Sequence, residues 1–315
     1  MPWLPDVPRR LEYLDAHLAS LGWLGWEPRE AAPAPESEIE LVHDPAYVTR
    51  VKELAQFGGG AIEPDTWVGE GSYRAALHAA GAAAAMTRAL LAGEARNGFC
   101  AIRPPGHHAT RDAAMGFCLF NNVALAAEIA ITELGLERVF ILDWDAHHGN
   151  GTAEIFRRRA DVLFASFHQG GGFYPGTGPA EDIGTGPGRG FSINLPVPSR
   201  STEPTWLSLL DDVVIPAAAE FAPQLILISA GYDAHAEDPV TRCRLRTSSY
   251  GEMAGRVRAL ADSLDVPVGA VLEGGYVPAV LGDCVAVTMS ALAARGPVPA
   301  EPVARDALRA PAARA

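Results

Sequence analysis

Two short segments of the sequence place aspartate and histidine at spacings that suit a metal ion. Asp145 and His147 are separated by one residue and follow an apolar run of strand length. Alternate residues of an extended chain point to the same side, so both side chains can face one ion. Asp233, in the later segment GYDAH, can supply a third ligand from another strand. Two carboxylates and one imidazole suit one catalytic zinc ion, or another borderline divalent ion, with a fourth position left for water.

A pair of adjacent histidines, His107 and His108, follows the constrained turn Pro-Pro-Gly. Histidine titrates near neutral pH, so such a pair can divide the work of a general base and a general acid. Each ring needs an acceptor on its other nitrogen to fix its orientation, and Asp143 and Asn150 flank the metal motif where they can serve. A carboxylate partner for one ring and a neutral amide for the other would give the two histidines different basicity.

Tyr276 ends the segment Leu-Glu-Gly-Gly-Tyr, whose two glycines free the backbone to present a phenol to a cavity. A phenol can donate a hydrogen bond to a carbonyl oxygen as negative charge develops on it. The sequence therefore offers candidate metal ligands, a candidate proton-transfer pair and a candidate oxyanion donor.

All of these residues follow apolar runs with the length of β-strands, and longer helical stretches separate the runs. Continuous runs such as VFIL and LILIS suit strands that are covered on both faces. The alternation predicts a single α/β domain with a mainly parallel sheet and helices on both faces. The polar residues would then meet at the carboxyl edge of the sheet, where open α/β sheets bind ligands. The predicted strands are 98–103, 138–143, 162–168, 191–195, 224–230 and 266–272, and the predicted helices are 8–20, 45–56, 72–92, 121–134, 203–220, 248–264 and 278–294.

The composition excludes several classes of protein. The 315 residues carry 38 acidic and 25 basic side chains, a formal charge of −13, so no nucleic acid is expected as a partner. No apolar window reaches the roughly 18 residues of a membrane span, so no membrane partner is expected. The four cysteines form no CxxC pair, which fits a reducing compartment, and we predict a cytoplasmic protein. Residues 1–295 are predicted to form one catalytic domain, and the Pro/Ala-rich tail 296–315 to be poorly ordered.

Taken together, these segments resemble the histone deacetylase family, which includes bacterial acetoin-utilisation proteins and acetylpolyamine amidohydrolases. The resemblance extends from about residue 8 to residue 292, and the motifs occur in the family's order. The segments DWDAHHGNGT and LEGGY look like the class II branch of the family. The other matching segments are LVHDPAYVTRV, DTWVGEGSY, RPPGHHA, MGFCLFNNVA, SFHQGGGFYPGTG and ISAGYDAHAEDP.

The resemblance implies an arginase/deacetylase-like fold with eight parallel strands. It also implies a zinc-dependent amidohydrolase that removes N-acetyl or other N-acyl groups from lysine side chains or polyamines. By this resemblance, zinc is bound by Asp145, His147 and Asp233, the general base is His108 with His107 as its tandem partner, and the phenol is that of Tyr276. Asp143 and Asn150 correspond to the partners of the two histidines, and Arg10 corresponds to an arginine behind the active site.

The resemblance also implies residues that contact the substrate and a second ion. Phe117 and Tyr174 correspond to the walls of the acyl-lysine channel, and Asp65 to the substrate rim. A structural potassium site corresponds to Asp143, Asp145, His147, Ser166 and Phe167.

Two other functions are compatible with parts of the pattern. A ureohydrolase of the arginase type needs two manganese ions, but Gly149 and His235 occupy positions where its second ion needs carboxylates. A catalytically inactive binder of acyl amines is expected to lack the phenol or one tandem histidine, and this chain keeps both. The substrate class stays open, although Val240 stands where polyamine-selective relatives carry an acidic residue, which favours an acetyl-lysine or broad amine substrate. A homo-oligomer is compatible with the sequence.

Overall fold

The computed structural model describes residues 5–294, so the tail predicted to be poorly ordered lies outside the described residues. The strands are β1 Gly60–Glu63, β2 Thr66–Val68, β3 Asn97–Cys100, β4 Val139–Asp143, β5 Val162–Gln169, β6 Ser192–Val197, β7 Leu225–Ala230 and β8 Val268–Leu272. The helices are α1 Arg9–Ser20, α2 Glu36–Ile39, α3 Pro45–Gln56, α4 Ser72–Leu91, α5 Asn122–Thr132, α6 Asn150–Phe156, α7 Glu203–Leu209, α8 Ile215–Phe221, α9 Thr247–Leu264 and α10 Pro278–Ala293.

Six strands form one parallel sheet in the order β3-β8-β7-β4-β5-β6. This confirms the predicted α/β class, and each of the six predicted strands is present within a few residues of its expected ends. Every residue of β4, β5, β7 and β8 is buried. Because successive residues of a strand face opposite sides, the helices and loops cover both faces of the sheet.

The expected count of eight parallel strands is wrong for the described residues. The two remaining strands, β1 and β2, pair with each other in a separate antiparallel hairpin. Only the residues Pro64 and Asp65 join them, and a connection of two residues can link antiparallel but not parallel neighbours. The hairpin therefore stands apart from the main sheet, and it carries Asp65 at its tip.

The parallel pairing brings the polar segments to one edge. In the register of the sheet, Asp143 at the end of β4 lies beside Ser166 of β5 and Ser229 of β7. The loops that leave β3, β4, β7 and β8 at this edge carry the tandem histidines, the Asp-x-Asp-x-His segment, Asp233 and Tyr276 respectively. Their side chains come together because the strands that precede them are adjacent and point the same way.

Candidate active site

A cluster of three side chains lies at the carboxyl edge of β4 and β7. The ligand atoms of Asp145, His147 and Asp233 all lie within 4.8 Å of one another, and all three residues are buried. His147 Nδ1 lies 3.0 Å from Asp145 Oδ1 and 2.7 Å from Asp233 Oδ2. The ring nitrogen therefore faces one oxygen of each carboxylate. The three atoms are close enough together to bind a single metal ion.

Backbone hydrogen bonds fix the two carboxylates. Asp145 Oδ2 accepts a hydrogen bond from Gly274 N–H at 2.9 Å, and Asp233 Oδ1 accepts one from Ala146 N–H at 2.8 Å. Asp233 Oδ2 is also buried and faces the ring nitrogen of His147 rather than a backbone N–H. A Cβ atom at Gly231 would overlap the Asp145 carboxylate, so this glycine is required by the close approach of the two loops.

The charge of the cluster favours a divalent cation. Although burial opposes protonation, the carboxylates of Asp233 and Asp145 raise the pKa of His147 to about 10. Burial and the nearby charge of Asp145 raise the pKa of Asp233. Two buried carboxylates around one imidazole thus form a site with an excess of negative charge, and the donor set of two oxygens and one nitrogen fits zinc.

The tandem histidines lie against this cluster and have different partners. His107 Nδ1 is 2.9 Å from Asp143 Oδ2, and His108 Nδ1 is 2.7 Å from Asn150 Oδ1. One ring thus lies against a carboxylate and the other against an amide, and the catalytic roles of the four residues stay a prediction. The ring centroids of the two histidines are 4.1 Å apart, and that of His108 is 5.8 Å from the ring of His147.

The two partners separate the basicities of the pair. Although burial opposes protonation, the charges of Asp143 and Asp145 raise the pKa of His107 to about 10. Burial lowers the pKa of His108 well below its usual value, and the charges of His107 and His147 lower it further. His108 is thus neutral at physiological pH and able to accept a proton, whereas His107 is a cation held by Asp143.

Tyr276 lies beside the cluster on the loop that follows β8. Its backbone N–H donates to Asp238 Oδ2 at 2.7 Å, and its ring packs edge-on against Phe117 with centroids 5.9 Å apart. Burial raises the pKa of the phenol well above its usual value, so the hydroxyl is a neutral donor. Arg10 is buried behind it, with its guanidinium carbon 4.9 Å from the centre of the tyrosine ring.

Arg10 also holds the backbone of the same loop. Its Nε donates to Gly275 O at 2.6 Å, its Nη2 donates to Glu273 O at 2.6 Å, and its Nη1 pairs with Asp6 at 2.6 Å. Arg10, which the resemblance places behind the active site, thus contacts both the ring and the backbone of this loop. Two side chains therefore hold the Tyr276 loop. Asp238 accepts the N–H of Tyr276, and Arg10 donates to the carbonyl oxygens of Glu273 and Gly275.

The predicted wall residues border the site on different sides. Phe117 contacts Tyr276, while the ring of Tyr174 lies edge-on to His108 with centroids 5.4 Å apart. Phe117 has a φ of 67°, a left-handed conformation that is strained for a residue other than glycine. Its N–H donates to Thr66 Oγ1 at 3.0 Å, a bond that helps to hold this conformation at the site.

Asp65, predicted at the substrate rim, is occupied by bonds within the protein. Its Oδ1 accepts hydrogen bonds from Gly116 N–H at 3.2 Å and from the Thr66 hydroxyl at 2.8 Å. The structure therefore ties the tip of the β1–β2 hairpin to the loop that presents Phe117. A role for Asp65 in contacting substrate stays a prediction.

Two of the residues predicted for a potassium site, Ser166 and Phe167, have neighbours within the protein. Ser166 lies next to Asp143 in the paired strands, but its hydroxyl is 3.1 Å from His168 Nδ1. Phe167 is buried and stacks on Trp206 with centroids 5.2 Å apart. Potassium binding by Asp143, Asp145, His147, Ser166 and Phe167 stays a prediction.

Several residues that support the site were not assigned roles from the sequence. Buried Glu273 accepts hydrogen bonds from Gly106 N–H at 2.7 Å and His107 N–H at 3.1 Å, so it holds the turn that carries the tandem histidines. Phe173 stacks on the ring of His147 with centroids 5.1 Å apart. The sequence signal for Glu273 was its place after a buried strand beside Gly-Gly-Tyr, but its partner lies 166 residues away in the chain.

Comparison with known proteins decides the family. Residues 4–292 match the histone deacetylase domain. The chain belongs to the histone deacetylase family. It is 44% identical over 257 residues to the histone deacetylase-like amidohydrolase of Pseudomonas aeruginosa, an alignment that covers 81% of this chain and 68% of that protein. Membership makes the protein a deacetylase-family amidohydrolase, as the motifs predict.

Two further matches are a human protein and a solved structure. The chain is 36% identical over 298 residues to human polyamine deacetylase HDAC10, covering 90% of this chain and 42% of the human protein. The crystal structure of the HDA15 HD domain superposes with a TM-score of 0.87 at 37% identity, covering 92% of this chain and 82% of that one. Among residues 5–294, no helix of this deacetylase-family protein is long and apolar enough to cross a membrane.

Proposed function

We propose that the protein is a zinc-dependent deacetylase that hydrolyses N-acyl amides of lysine side chains or polyamines. The observation that carries the proposal is the cluster of Asp145, His147 and Asp233 beside the neutral ring of His108. Zinc, when bound by these three residues, supplies the Lewis acidity that lowers the pKa of water to about 7 and polarises the amide carbonyl.

The side chains of this chain perform the proton transfers. His108 accepts a proton from the attacking water at its Nε2, because Asn150 already holds its Nδ1. Tyr276 donates its hydroxyl to the oxygen of the carbonyl as that oxygen becomes negative. His107, a cation paired with Asp143, stabilises the developing negative charge and is close enough to His108 to help return a proton to the leaving amine.

One catalytic ion per chain is part of the proposal. A second group of potential ligands in residues 5–294, formed by His107, Cys118 and Glu273, is already engaged by other partners. His107 Nδ1 is bonded to Asp143, Glu273 accepts two backbone N–H groups, and the Cys118 thiol contacts Gly116 O at 3.4 Å. This favours a mononuclear deacetylase over a ureohydrolase with two manganese ions.

The substrate and compartment belong to the proposal as well. An acetylated lysine of a polypeptide and an acetylated polyamine both present a slender alkyl stem to the aromatic residues Phe117 and Tyr174. Val240 is apolar, so it offers no carboxylate to a second amine of a polyamine. All four cysteines are buried free thiols, which supports a reducing cytoplasmic compartment.

The test is a substrate panel with metal reconstitution. The chelated protein is loaded with zinc or manganese and assayed with acetyl-lysine amide, acetyl-lysine peptides, acetylputrescine, acetylspermidine, longer acyl peptides and arginine. We expect hydrolysis of acetyl substrates with one zinc per chain and none in His108→Ala. Two manganese ions per chain with cleavage of arginine would establish the ureohydrolase function, and tight binding of acyl amines without turnover would establish an inactive binder.

A further inference from the structure

Three exposed arginines gather near the active site on two hydrogen-bonded segments. Arg200 N–H donates to Arg242 O at 3.0 Å, and Arg244 N–H donates to Ser201 O at 2.8 Å. We call Arg200, Arg242 and Arg244 the arginine ribbon. Within residues 5–294, no ion pair or side-chain hydrogen bond involves the guanidinium of any of the three. The ribbon therefore presents unpaired cations on the surface of a chain whose formal charge is −13.

The local sequence explains why these side chains face solvent. In the segment Thr-Arg-Cys-Arg-Leu, residues 241, 243 and 245 are buried, while Arg242 and Arg244 are exposed. Alternate residues of an extended segment point to the same side, so the two guanidinium groups share the outer face. Several other arginines of the protein are engaged by acids, as Arg88 is by Glu38 and Glu133. What distinguishes the arginine ribbon is that it gathers three exposed guanidinium groups on two adjacent segments of an acidic chain.

Backbone hydrogen bonds attach the arginine ribbon to the active site. Leu245 N–H donates to Ala234 O at 3.0 Å, and Ala236 N–H donates to Leu245 O at 2.8 Å. The segment that carries Arg242 and Arg244 is therefore paired with the loop that immediately follows Asp233. The ribbon cannot move far from the metal-ligand cluster without breaking this pairing.

An open groove of about 540 Å³ is lined by Arg242 of the arginine ribbon and by Phe173. Its lining also includes residues 170–172, which are all glycine. Because the ring of Phe173 also stacks on His147, the groove opens beside the metal-ligand cluster. Among the lining residues Arg242 carries the one charged side chain.

We propose that the groove and the arginine ribbon bind an acidic segment of an acyl-lysine polypeptide while its acyl-lysine enters the active site. This deepens the proposed function and rests on it. A guanidinium binds a carboxylate through two parallel hydrogen bonds. The three glycines that line the groove have no side chains, which leaves room for a polypeptide backbone. A polyamine, which is cationic beyond its acetylated end, is repelled by the ribbon. A nucleic acid is disfavoured because the rest of the surface is acidic.

The test compares acetyl-lysine peptides that differ only in flanking charge. Matched peptides carry Glu, Gln or Lys at each of the positions around the acetyl-lysine, and acetyl-lysine amide serves as the substrate without flanks. At low salt we expect kcat/KM for the best Glu peptide to exceed that of its Lys counterpart by about five-fold or more, and the difference to shrink as salt is added. Arg242→Glu is expected to reverse this preference and to leave hydrolysis of acetyl-lysine amide unchanged.

Arg158→Glu is the matched control, since Arg158 is exposed and precedes β5 at the opposite edge of the sheet. It changes the net charge by the same amount and should keep the Glu preference. Equal rates for Glu, Gln and Lys peptides, or an unchanged preference in Arg242→Glu, would overturn the proposal. So would a hundredfold preference for acetylspermidine, or inhibition by an RNA oligonucleotide at concentrations where Glu peptides bind weakly. Each of these results leaves hydrolysis of acetyl-lysine amide intact, whereas failure of the proposed function abolishes it.

Discussion

The backbone N–H of Tyr276 donates a hydrogen bond to Asp238 at 2.7 Å, which joins the loop after β8 to the loop after β7. The second oxygen of Asp238 accepts the N–H of Val240 at 2.9 Å, so one buried carboxylate holds two chain segments at once. The loop that carries Asp233, a proposed metal ligand, therefore also positions Tyr276, whose phenol is the proposed oxyanion donor.

We predict that Asp238→Ala lowers kcat at least about ten-fold with little change in KM, because a misplaced phenol loses transition-state stabilisation. Asp238→Asn should be intermediate, because its amide has one acceptor oxygen and can keep only one of the two bonds. Zinc content is measured alongside kcat and should not change. Glu237→Ala is the matched control, since Glu237 is exposed and its loss removes the same charge from the same loop.

A double-mutant cycle tests whether Asp238 acts through Tyr276. In the Tyr276→Phe background, Asp238→Ala should have almost no further effect on kcat. An effect of the same size in both backgrounds would show that Asp238 supports the fold or the metal site instead of the phenol.

Tyr276→Phe by itself should lower kcat by about 10²–10³, or roughly 2.7–4 kcal/mol, which is the usual cost of losing one oxyanion donor. Because the variant keeps the ring that packs on Phe117, we expect the zinc content and the thermal midpoint to match those of the wild type. An unchanged kcat on the best substrate of the panel would remove the phenol from the mechanism.

Much of the sheet could be predicted from the sequence because its signals are local. The runs VFIL in β4 and LILIS in β7 are continuous and apolar, which specifies strands buried on both faces, and polar residues follow each of them. Because polar residues follow each of these strands, the sequence predicts that Asp145, His147 and Asp233 lie at one edge of a parallel sheet. The short hairpin β1–β2 has no such run, and it was missed.

The contacts that were not predicted join residues far apart in the chain. Asp65 is hydrogen-bonded to Gly116, and Arg10 is hydrogen-bonded to Gly275. No periodic pattern in the sequence predicts either pair. The arginine ribbon was missed for the same reason, because Arg200 lies 42 residues before Arg242 and the two meet only in the folded chain. The net charge is summed over the whole sequence, so a value of −13 does not indicate a local group of arginines.

His43 is predicted to make the protein less stable in acid. Its Nδ1 contacts Thr110 O at 2.8 Å and its Nε2 accepts the N–H of Asn121 at 2.9 Å, so the buried ring is neutral. Burial lowers the pKa of His43 to about 4, whereas the unfolded chain protonates near 6.5. The stabilising contribution is therefore complete above pH 6.5 and is lost as the pH falls toward 4, by about 3 kcal/mol.

Urea unfolding of the metal-free protein between pH 7 and pH 4 measures this effect. In His43→Gln, whose amide can replace both contacts, the fall in the free energy of unfolding should be smaller by about that amount. His148 and His168, whose pKa values burial also lowers, contribute equally to both proteins. His78→Gln, which removes an exposed imidazole, should follow the wild type. Parallel curves for wild type and His43→Gln would contradict the assignment.

The amide of Asn150 is predicted to set the acid limb of the pH–rate profile. His108 must be neutral to accept a proton, and its Nδ1 lies 2.7 Å from the uncharged Asn150 Oδ1. In Asn150→Asp a carboxylate replaces the amide and raises the pKa of His108, because an opposite charge at this distance favours the protonated ring. The acid limb of kcat/KM should therefore move to higher pH by about one unit or more.

Gln224→Glu is the control for Asn150→Asp, because Gln224 is exposed just before β7 at the opposite end of the sheet. It adds the same charge far from His108, and its carboxylate can still accept the N–H groups of Glu137 and Arg138 that Gln224 Oε1 now holds. Its profile should coincide with that of the wild type. If the acid limb of Asn150→Asp stayed in place while the rate fell equally at every pH, Asn150 would orient the ring of His108 without changing its pKa. If both variants shifted the limb alike, the long-range charge of the protein, and not the partner of His108, would control the proton transfer.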